Sequence, residues 1–592
     1  MHTIDLDVLP GTAAGQRSVN GAPGIQDNVL RTVEAGREVR YAVWVNGAMQ
    51  PVLGRRVLPH GRWQTVDLAT VPSMAAEFGL PNATDAHNTW SIAVDGAGYL
   101  HLSGNHHNSP LRYARSANPY NITAWTRPAM VGTDETSVTY PQFVALPDGR
   151  LLVFYRSGQA GAGNVFCNRY NPGTQVWTRI GDPLIDAVAS GESPYLHYVS
   201  AGSDGSIHIA VIWRASTAET NNDVCHARTL DGGSTWQLMD GTALTLPLTH
   251  AGWPPALNTP PTNSGLLNGG GLAVDQAGRP HVGNEMWLSP SDRRTQYAHL
   301  YWTGSAWANE VLTDWQYPMP FPSQANAVNA ELSRPVLVCH AERTYLLYRH
   351  NRERPGALML RDVTPGGDMA EASVLNWPLY GCEFSANVAT VLDQGRLEVL
   401  LCPAQQEDLP TPELPVNKWS ASDTSWANQG AAVLALDLDD LHDIVHGKVP
   451  APGLQLIAST AMEGGAFFTP ALGSSPVGLA SFQLLIPGEY AGRKLFARHS
   501  GRWNLATGSA TSYTIELHQA GAARGSYSNG SGLSTPVMMW GPVAALDTTT
   551  MPDGSYLSLS AKVAGGSGSP TLRLTTGSIQ VFALAGSDGR LL

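Results

Sequence analysis

The chain has 592 residues, of which 43% are hydrophobic and only 14% charged, and its formal net charge is −12. Glycine (61) and proline (41) are abundant, which suits many short strands joined by turns and argues against coiled coils, helical bundles and disorder. The length calls for a large domain plus a smaller one, and the negative balance gives no support to a nucleic-acid partner.

From the N-terminus, Met1 to Pro10 lacks a basic segment followed by an apolar one, so no signal peptide is visible, and no stretch reaches the roughly 18 apolar residues of a membrane-spanning helix. Beyond it, short apolar runs follow Asp-Gly or similar turns, at Asp95 to Gly104, Asp148 to Ser157, Asp204 to Arg214, Asp275 to Val282, Glu342 to Arg349 and Asp393 to Leu401. Each reads as a turn leading into a strand. A tryptophan recurs in phase with these turns, at Trp63, Trp125, Trp177, Trp236, Trp307, Trp377 and Trp426, with gaps of 49 to 71 residues. Seven markers at blade-sized spacing predict an all-β, seven-bladed β-propeller over residues 1–441. Thr229 to Trp236 (TLDGGSTW) has the form of an Asp-box, a hairpin whose Asp caps the turn and whose Trp packs inside the blade. Its work is structural.

The pattern breaks across a linker at 442–453, around Val449-Pro450-Ala451-Pro452-Gly453. Residues 454–592 hold only 14 charged side chains and alternating strand-like runs. They predict a β-sandwich of jelly-roll type. The five cysteines are odd in number and widely spread, unlike a disulfide framework.

The densest polar constellation lies in residues 85 to 156. It contains Asp85-Ala86-His87-Asn88, then His106-His107-Asn108, Arg112-Tyr113, Tyr140-Pro141-Gln142 and Tyr155-Arg156. In a propeller, such residues converge from several blades on one end of a central pocket. His, Tyr and Arg together suit removal of a proton next to a carboxylate. Arginine neutralises the carboxylate, one group takes the proton, and another protonates the leaving oxygen. That chemistry requires no metal or redox cofactor. His101, inside an alternating strand, reads as structural, and Arg112 serves equally well to pin the backbone.

This segment resembles the BNR-repeat-containing propellers that include ulvan lyases and relatives cleaving rhamnosyl-glucuronate linkages. The likeness spans roughly residues 35 to 440. In those lyases two histidines about twenty residues apart are followed by a Tyr and an Arg sixteen apart. Here His87 and His107 are twenty apart, and Tyr140 and Arg156 sixteen. The resemblance implies a polysaccharide lyase acting by β-elimination on a uronate-containing, rhamnose-bearing polysaccharide and leaving a 4,5-unsaturated uronate end. It implies His87, His107, Tyr140 and Arg156 as catalytic residues. Arg156 pairs with the uronate carboxylate, His107 or Tyr140 takes the C5 proton, and Tyr140 protonates the leaving oxygen. Asn88, His106, Arg214, Arg334 and Arg349 are the expected substrate contacts.

Some relatives hold a structural zinc. His208, Cys225, His226, His281, Cys339 and His340 supply ligand types for such a zinc, without a spacing that assigns them, and a structural calcium has no residues assigned to it either. Two other functions remain open. A glycoside hydrolase would draw on carboxylates such as Asp85, Glu192, Glu285 and Glu331, and a non-catalytic glycan-binding propeller would use the same pocket. A polymer-degrading lyase meets its substrate outside the cytoplasm, so an extracellular or surface-acting location is expected, including that of a virion-borne depolymerase.

Overall fold

The computed structural model describes residues 4–10, 28–45, 50–59, 61–78, 89–267, 269–316, 332–350, 357–376, 384–386, 395–401 and 432–448, with eight strands between Gly453 and Ala585. Antiparallel sheets follow one another along the chain. The first contains Val29–Glu34, Arg37–Val45, Pro51–Val57 and Gln64–Asp67, and the second Trp90–Val94, Leu100–Gly104, Tyr113–Ser116 and Trp125–Thr126. The third contains Val138–Ala145, Leu151–Gln159, Ala162–Asn171 and Val176–Ile185. The fourth is built on Ser193–Leu196, Ile207–Arg214 and Asn221–Thr229, and the fifth on Leu272–Val274, Pro280–Ser289, Asp292–Trp302 and Trp307–Val311. Val336–His340, Arg343–Arg349, Ala357–Asp362 and Glu371–Asn376 form the sixth, and Ser385–Ala386, Arg396–Leu401 and Ala432–Asp437 the last. First strands of neighbouring sheets lie side by side, as Val138–Ala145 does against Trp90–Val94, which is the arrangement of a propeller.

The expectation of a seven-bladed propeller needs correction: among the described residues five of these sheets have the four-stranded form of a blade. The fourth has seven strands, since Ser200–Ala201, Trp236–Gln237, Ala243–Leu244 and Pro255–Leu257 add to the three named. The sixth runs on into the C-terminal region through a single parallel pair, Asn376 with Gly453. The expected linker at 442–453 opens within a short helix. Leu441–Val445 is a helix that buries Leu441, Ile444 and Val445, and His446 Nε2 lies 2.9 Å from Asp368 Oδ2. After it, the eight C-terminal strands form one sheet of Gly453–Met462, Thr571–Ala585, Leu495–Thr507 and Val537–Leu546, and another of Val477–Leu485, Tyr556–Gly565, Tyr513–Gln519 and Ala522–Asn529. Among the described residues no helix is long and apolar enough to cross a membrane.

The turn signals act as local chemistry demands. Asp95 Oδ1 accepts the Ala97 and Tyr99 amides at 2.9 Å, and Gly98 takes φ +85°. Asp275 Oδ1 does the same for Ala277 and Arg279, with Gly278 at φ +73°. A short Asp side chain folds back on its own amides while glycine takes the left-handed position, so the chain reverses between first and second strands. Marker tryptophans Trp125, Trp177, Trp236 and Trp307 stand at or near the start of their fourth strands. Trp125 Nε1 donates to the Ile122 carbonyl and Trp236 Nε1 to Gly233, each three residues back. Asp231 accepts from the Thr235 amide and hydroxyl in the same hairpin. Truncating a buried tryptophan of this kind costs about 3–5 kcal/mol. Trp377 and Trp426 lie outside the described residues.

The ring closes through its first strand. Ile4–Val8 pairs antiparallel with Ala432–Asp437 as the outer strand of the last sheet. Buried Arg40 on the first sheet clamps that sheet, its Nε and Nη2 reaching Glu398 at 2.8 and 2.7 Å and its Nη1 reaching Asp7 at 2.6 Å. Trp63 Nε1 donates to the other Asp7 oxygen at 3.0 Å.

Candidate functional site

Tyr140 sits in the first strand of the third sheet at a bulge, where the register slips between the Thr139–Arg156 and Gln142–Phe154 pairs. Its φ is +57°. For a bulky residue that conformation costs about 1–3 kcal/mol and persists only where the surroundings impose it. The bulge re-aims the phenol, so its ring lies 5.2 Å from the Arg156 guanidinium carbon. Arg156, at the far end of the second strand, is buried, and its Nε has no hydrogen-bond partner among the described residues.

A second tyrosine completes this group. Tyr195, in the first strand of the fourth sheet, places its ring 4.9 Å from the Arg156 guanidinium carbon and 6.4 Å from the Tyr140 ring. Arg214, at the end of the second strand of that sheet, stacks on Tyr195 at 4.2 Å, donates to its hydroxyl at 3.1 Å, and is held by Asn221 at 2.6 Å. The charge of Arg334 also reaches Tyr140. Burial raises the Tyr140 phenol to about 12 against the pull of Arg156, Arg214 and Arg334. For Tyr195 burial also acts upward, but Arg156 and Arg214 outweigh it and draw the phenol below its ordinary value. The two rings are thus held in different states of acidity a few ångströms apart.

The loop bearing His106 and His107 is tied to this group. Asn105 and Asn108 bracket it with φ of +59° and +50°. The Asn108 amide donates to Thr139 Oγ1 at 2.8 Å, and the Val138 amide donates to the Ser109 carbonyl at 2.8 Å, fastening the loop beside Tyr140. Arg112 donates to the Asn105 carbonyl and to Ser109 Oγ, so it pins the backbone. His107 is half-buried. His106 is fully buried, neither ring nitrogen has a hydrogen-bond partner among the described residues, and burial beside Arg112 lowers it to about 3, which keeps it neutral. His87 and Asn88, with Asp85 and Glu331, lie outside the described residues.

The remaining sequence candidates disperse. Arg349 is buried, with Nη2 donating to the Leu332 carbonyl at 2.9 Å. Glu192 is bound to His250 at 3.0 Å. His101 lies buried between Asp95 (3.3 Å) and Tyr113 (2.8 Å), in the structural place expected of it. Of the ligand types named for zinc, His208 Nδ1 and His226 Nε2 face each other at 3.0 Å, and His281 Nδ1 faces His299 Nε2 at 2.8 Å. Cys225 Sγ donates to the Trp253 carbonyl. No group of three or more His, Cys, Asp or Glu suited to a metal ion occurs among the described residues.

Sequence reasoning missed Tyr195 and the supports behind the tyrosines. Gln142, two residues after Tyr140, donates to the His197 carbonyl at 3.1 Å and accepts the Val199 amide at 3.0 Å. His197, two residues after Tyr195, has its Nε2 2.9 Å from Asn284 Oδ1, and burial lowers it to about 4. This relay ties the first strand of the third sheet, the segment after Ser193–Leu196 and the second strand of the fifth sheet to one another. A repeat of the site was readable: Tyr140 precedes the strand-end Arg156 by 16 residues, and Tyr195 precedes the strand-end Arg214 by 19.

Residues 39–315 match a family described as BNR repeat-containing, as the resemblance in the sequence leads one to expect. No curated protein matches the chain. Among solved structures, polysaccharide lyase Uly1 is 16% identical with a TM-score of 0.52, covering 74% of this chain and 100% of its own. A PL25 ulvan lyase is 16% identical with a TM-score of 0.51, covering 73% of this chain and 98% of its own. The same lyase has been solved bound to -[GlcA(1-4)Rha3S]-. At this identity the likeness establishes the propeller fold.

Proposed function

We propose that this BNR-repeat propeller is a polysaccharide lyase, cleaving a glucuronate- and rhamnose-containing polymer by β-elimination. The observation that carries the reading is the pair of tyrosines packed against buried guanidiniums, Tyr140 and Tyr195 at 5.2 and 4.9 Å from Arg156 and Tyr195 at 4.2 Å from Arg214. The glucuronate–rhamnose ligand of the ulvan lyase with a similar fold supports the choice of substrate. An acidic polysaccharide brings the reaction outside the cytoplasm, in keeping with an extracellular or surface-acting enzyme.

In this reading the uronate carboxylate lies against Arg156, flanked by Arg214 and Arg334, where a guanidinium fork recognises it as a bidentate partner. The same charges stabilise the electron density that moves into the carboxylate as the C5–H bond breaks. The C5 proton goes to His107, Tyr140 or Tyr195. Of these, Tyr195 has its phenolate favoured by two guanidiniums and joins the two candidates drawn from the resemblance. Electrons from the C5–H bond form the C4–C5 double bond, the C4–O4 bond breaks, and O4 takes a proton. Tyr140, kept protonated by burial, is suited to give it. His87 and Asn88 belong to the proposed site through their motif.

The test is absorbance of the 4,5-unsaturated uronate during incubation with ulvan, glucuronan, gum arabic and bacterial capsular polymers, with reducing ends followed in parallel. The expected result is that both rise together, and that Tyr140→Phe and Arg156→Ala abolish both. Reducing ends without the absorbance would establish hydrolysis instead, and unchanged turnover in Tyr140→Phe would remove this residue from the site.

A further inference from the structure

Away from the central tyrosines, a cleft of 340 Å3 opens between the fifth and sixth sheets. None of the tyrosines and arginines of the central group lines it. Its wall is Trp315, which follows the fourth strand of the fifth sheet, together with Tyr348 from the second strand of the sixth and His350 just beyond that strand. Trp315 is half-buried, its ring centroid 4.1 Å from His350 and 5.2 Å from Tyr297, whereas Tyr348 and His350 are buried. The indole is thus fixed in orientation while part of it stays accessible. Polar groups complete the lining. Glu371 accepts from the Tyr348 hydroxyl at 2.7 Å, Asp314 stands at the rim, and the Nε of Arg361 is buried without a hydrogen-bond partner among the described residues.

We propose that this cleft is a second carbohydrate-binding site, one that takes a neutral pyranose unit. A fixed aromatic wall beside a few convergent polar groups is suited to a ring with an apolar face and hydroxyl edges. The volume falls near the lower end of the roughly 300–1,000 Å3 of ligand clefts, enough for a small sugar and little more. Hydroxyls supply an acceptor for the Arg361 Nε donor and donors for the Glu371 carboxylate. The charge sets it apart from the centre: two carboxylates, Asp314 and Glu371, face one guanidinium, so a uronate is disfavoured here. The inference goes beyond the lyase reading, because a glycan-binding propeller without catalysis would have equal use for the site.

The experiment is saturation-transfer NMR and titration on the full chain with methyl α-L-rhamnopyranoside, methyl β-D-galactopyranoside and methyl β-D-glucopyranoside. The same probes are applied to Trp315→Ala, Glu371→Gln and Arg156→Ala. At least one glycoside should bind with a dissociation constant in the millimolar range, retain it in Arg156→Ala, and lose at least tenfold in both cleft variants. Glu371→Gln preserves shape, so it gives the reading if Trp315→Ala fails to fold. Binding of none of the probes, binding unaffected by the cleft variants, or loss of binding in Arg156→Ala would each overturn the assignment. Neutral-sugar binding without any unsaturated product would leave this site standing while the lyase reading falls, and the converse result would separate them the other way.

Discussion

Two groups of buried arginine stand in the same propeller and do opposite things. At the ring closure, Arg40 meets Glu398 through two hydrogen bonds and Asp7 through a third, so its charge is answered inside the protein. In the central group, Arg156 lies between two phenol rings with its Nε unsatisfied. Burying a charge is expensive in both places, and the two are answered differently, Arg40 by carboxylates and Arg156 by phenols, of which Tyr195 is hydrogen-bonded to it. In the proposed reading the second keeps its Nε for the substrate carboxylate. A buried arginine therefore says little by itself, and its neighbours decide whether it fastens the fold or waits for an anion.

The largest expected effect tests the closed pair. Glu398→Ala leaves Arg40 with Asp7 alone and should lower stability by about 3 kcal/mol, read by chemical denaturation. A loss below 1 kcal/mol would mean that solvent reaches the pair and that the contrast fails. The open group behaves differently under Arg156→Ala, where turnover of uronate polymer should fall on the order of 10²–10³-fold, with Tm unchanged by calorimetry. A fall in Tm matching that of the Glu398 variant would make Arg156 a fold residue.

Tyr195→Phe sharpens the central half of the comparison. The Tyr195 phenol is lowered despite burial because Arg156 and Arg214 favour its charged form, whereas Tyr140 is raised to about 12. Activity should climb as pH rises toward the Tyr195 transition while Tyr140 stays protonated. The Phe variant should flatten that alkaline limb in a kcat/KM profile, and an unaltered profile would assign the base elsewhere.

The smallest effect concerns His250, stacked on Trp213 at 4.5 Å and set between Glu192 and Asp223. Burial pulls its imidazolium down, but hydrogen bonds to Asp223 and Glu192 win and raise it to about 9. A raised value means that its stabilising contribution is complete below about pH 6.5 and is lost as pH climbs through about 9. A modest decline in Tm across that window, absent in His250→Gln, is the expected signature.

Much of this was legible in the sequence where the cause was local. Asp-Gly turns reverse the chain by bonding their own amides, and Trp125 and Trp236 mark fourth strands through bonds three residues back. Arg156 and Tyr140 could be singled out because they sit in one compact motif. Tyr195 offers only its 19-residue spacing to Arg214, since Ser193-Pro194-Tyr195-Leu196 reads as an ordinary apolar strand and its acidity comes from arginines on two different sheets. The edge strands of the fourth sheet escaped for a similar reason. Pro255–Leu257 pairs with Val224 and Cys225 after a loop, with no periodic signal of its own.

The strand that closes the ring also sets a schedule. Ile4–Val8 is made well before its partner Ala432–Asp437, which lies more than 420 residues downstream. At roughly 5–20 residues per second of synthesis, the early strand waits on the order of 20–90 s for its place. During that interval Asp7 and Arg40 lack Glu398, and the first sheet has no neighbour on one side. The propeller is a ring that stays open while it is being built, and its last sheet is the clasp.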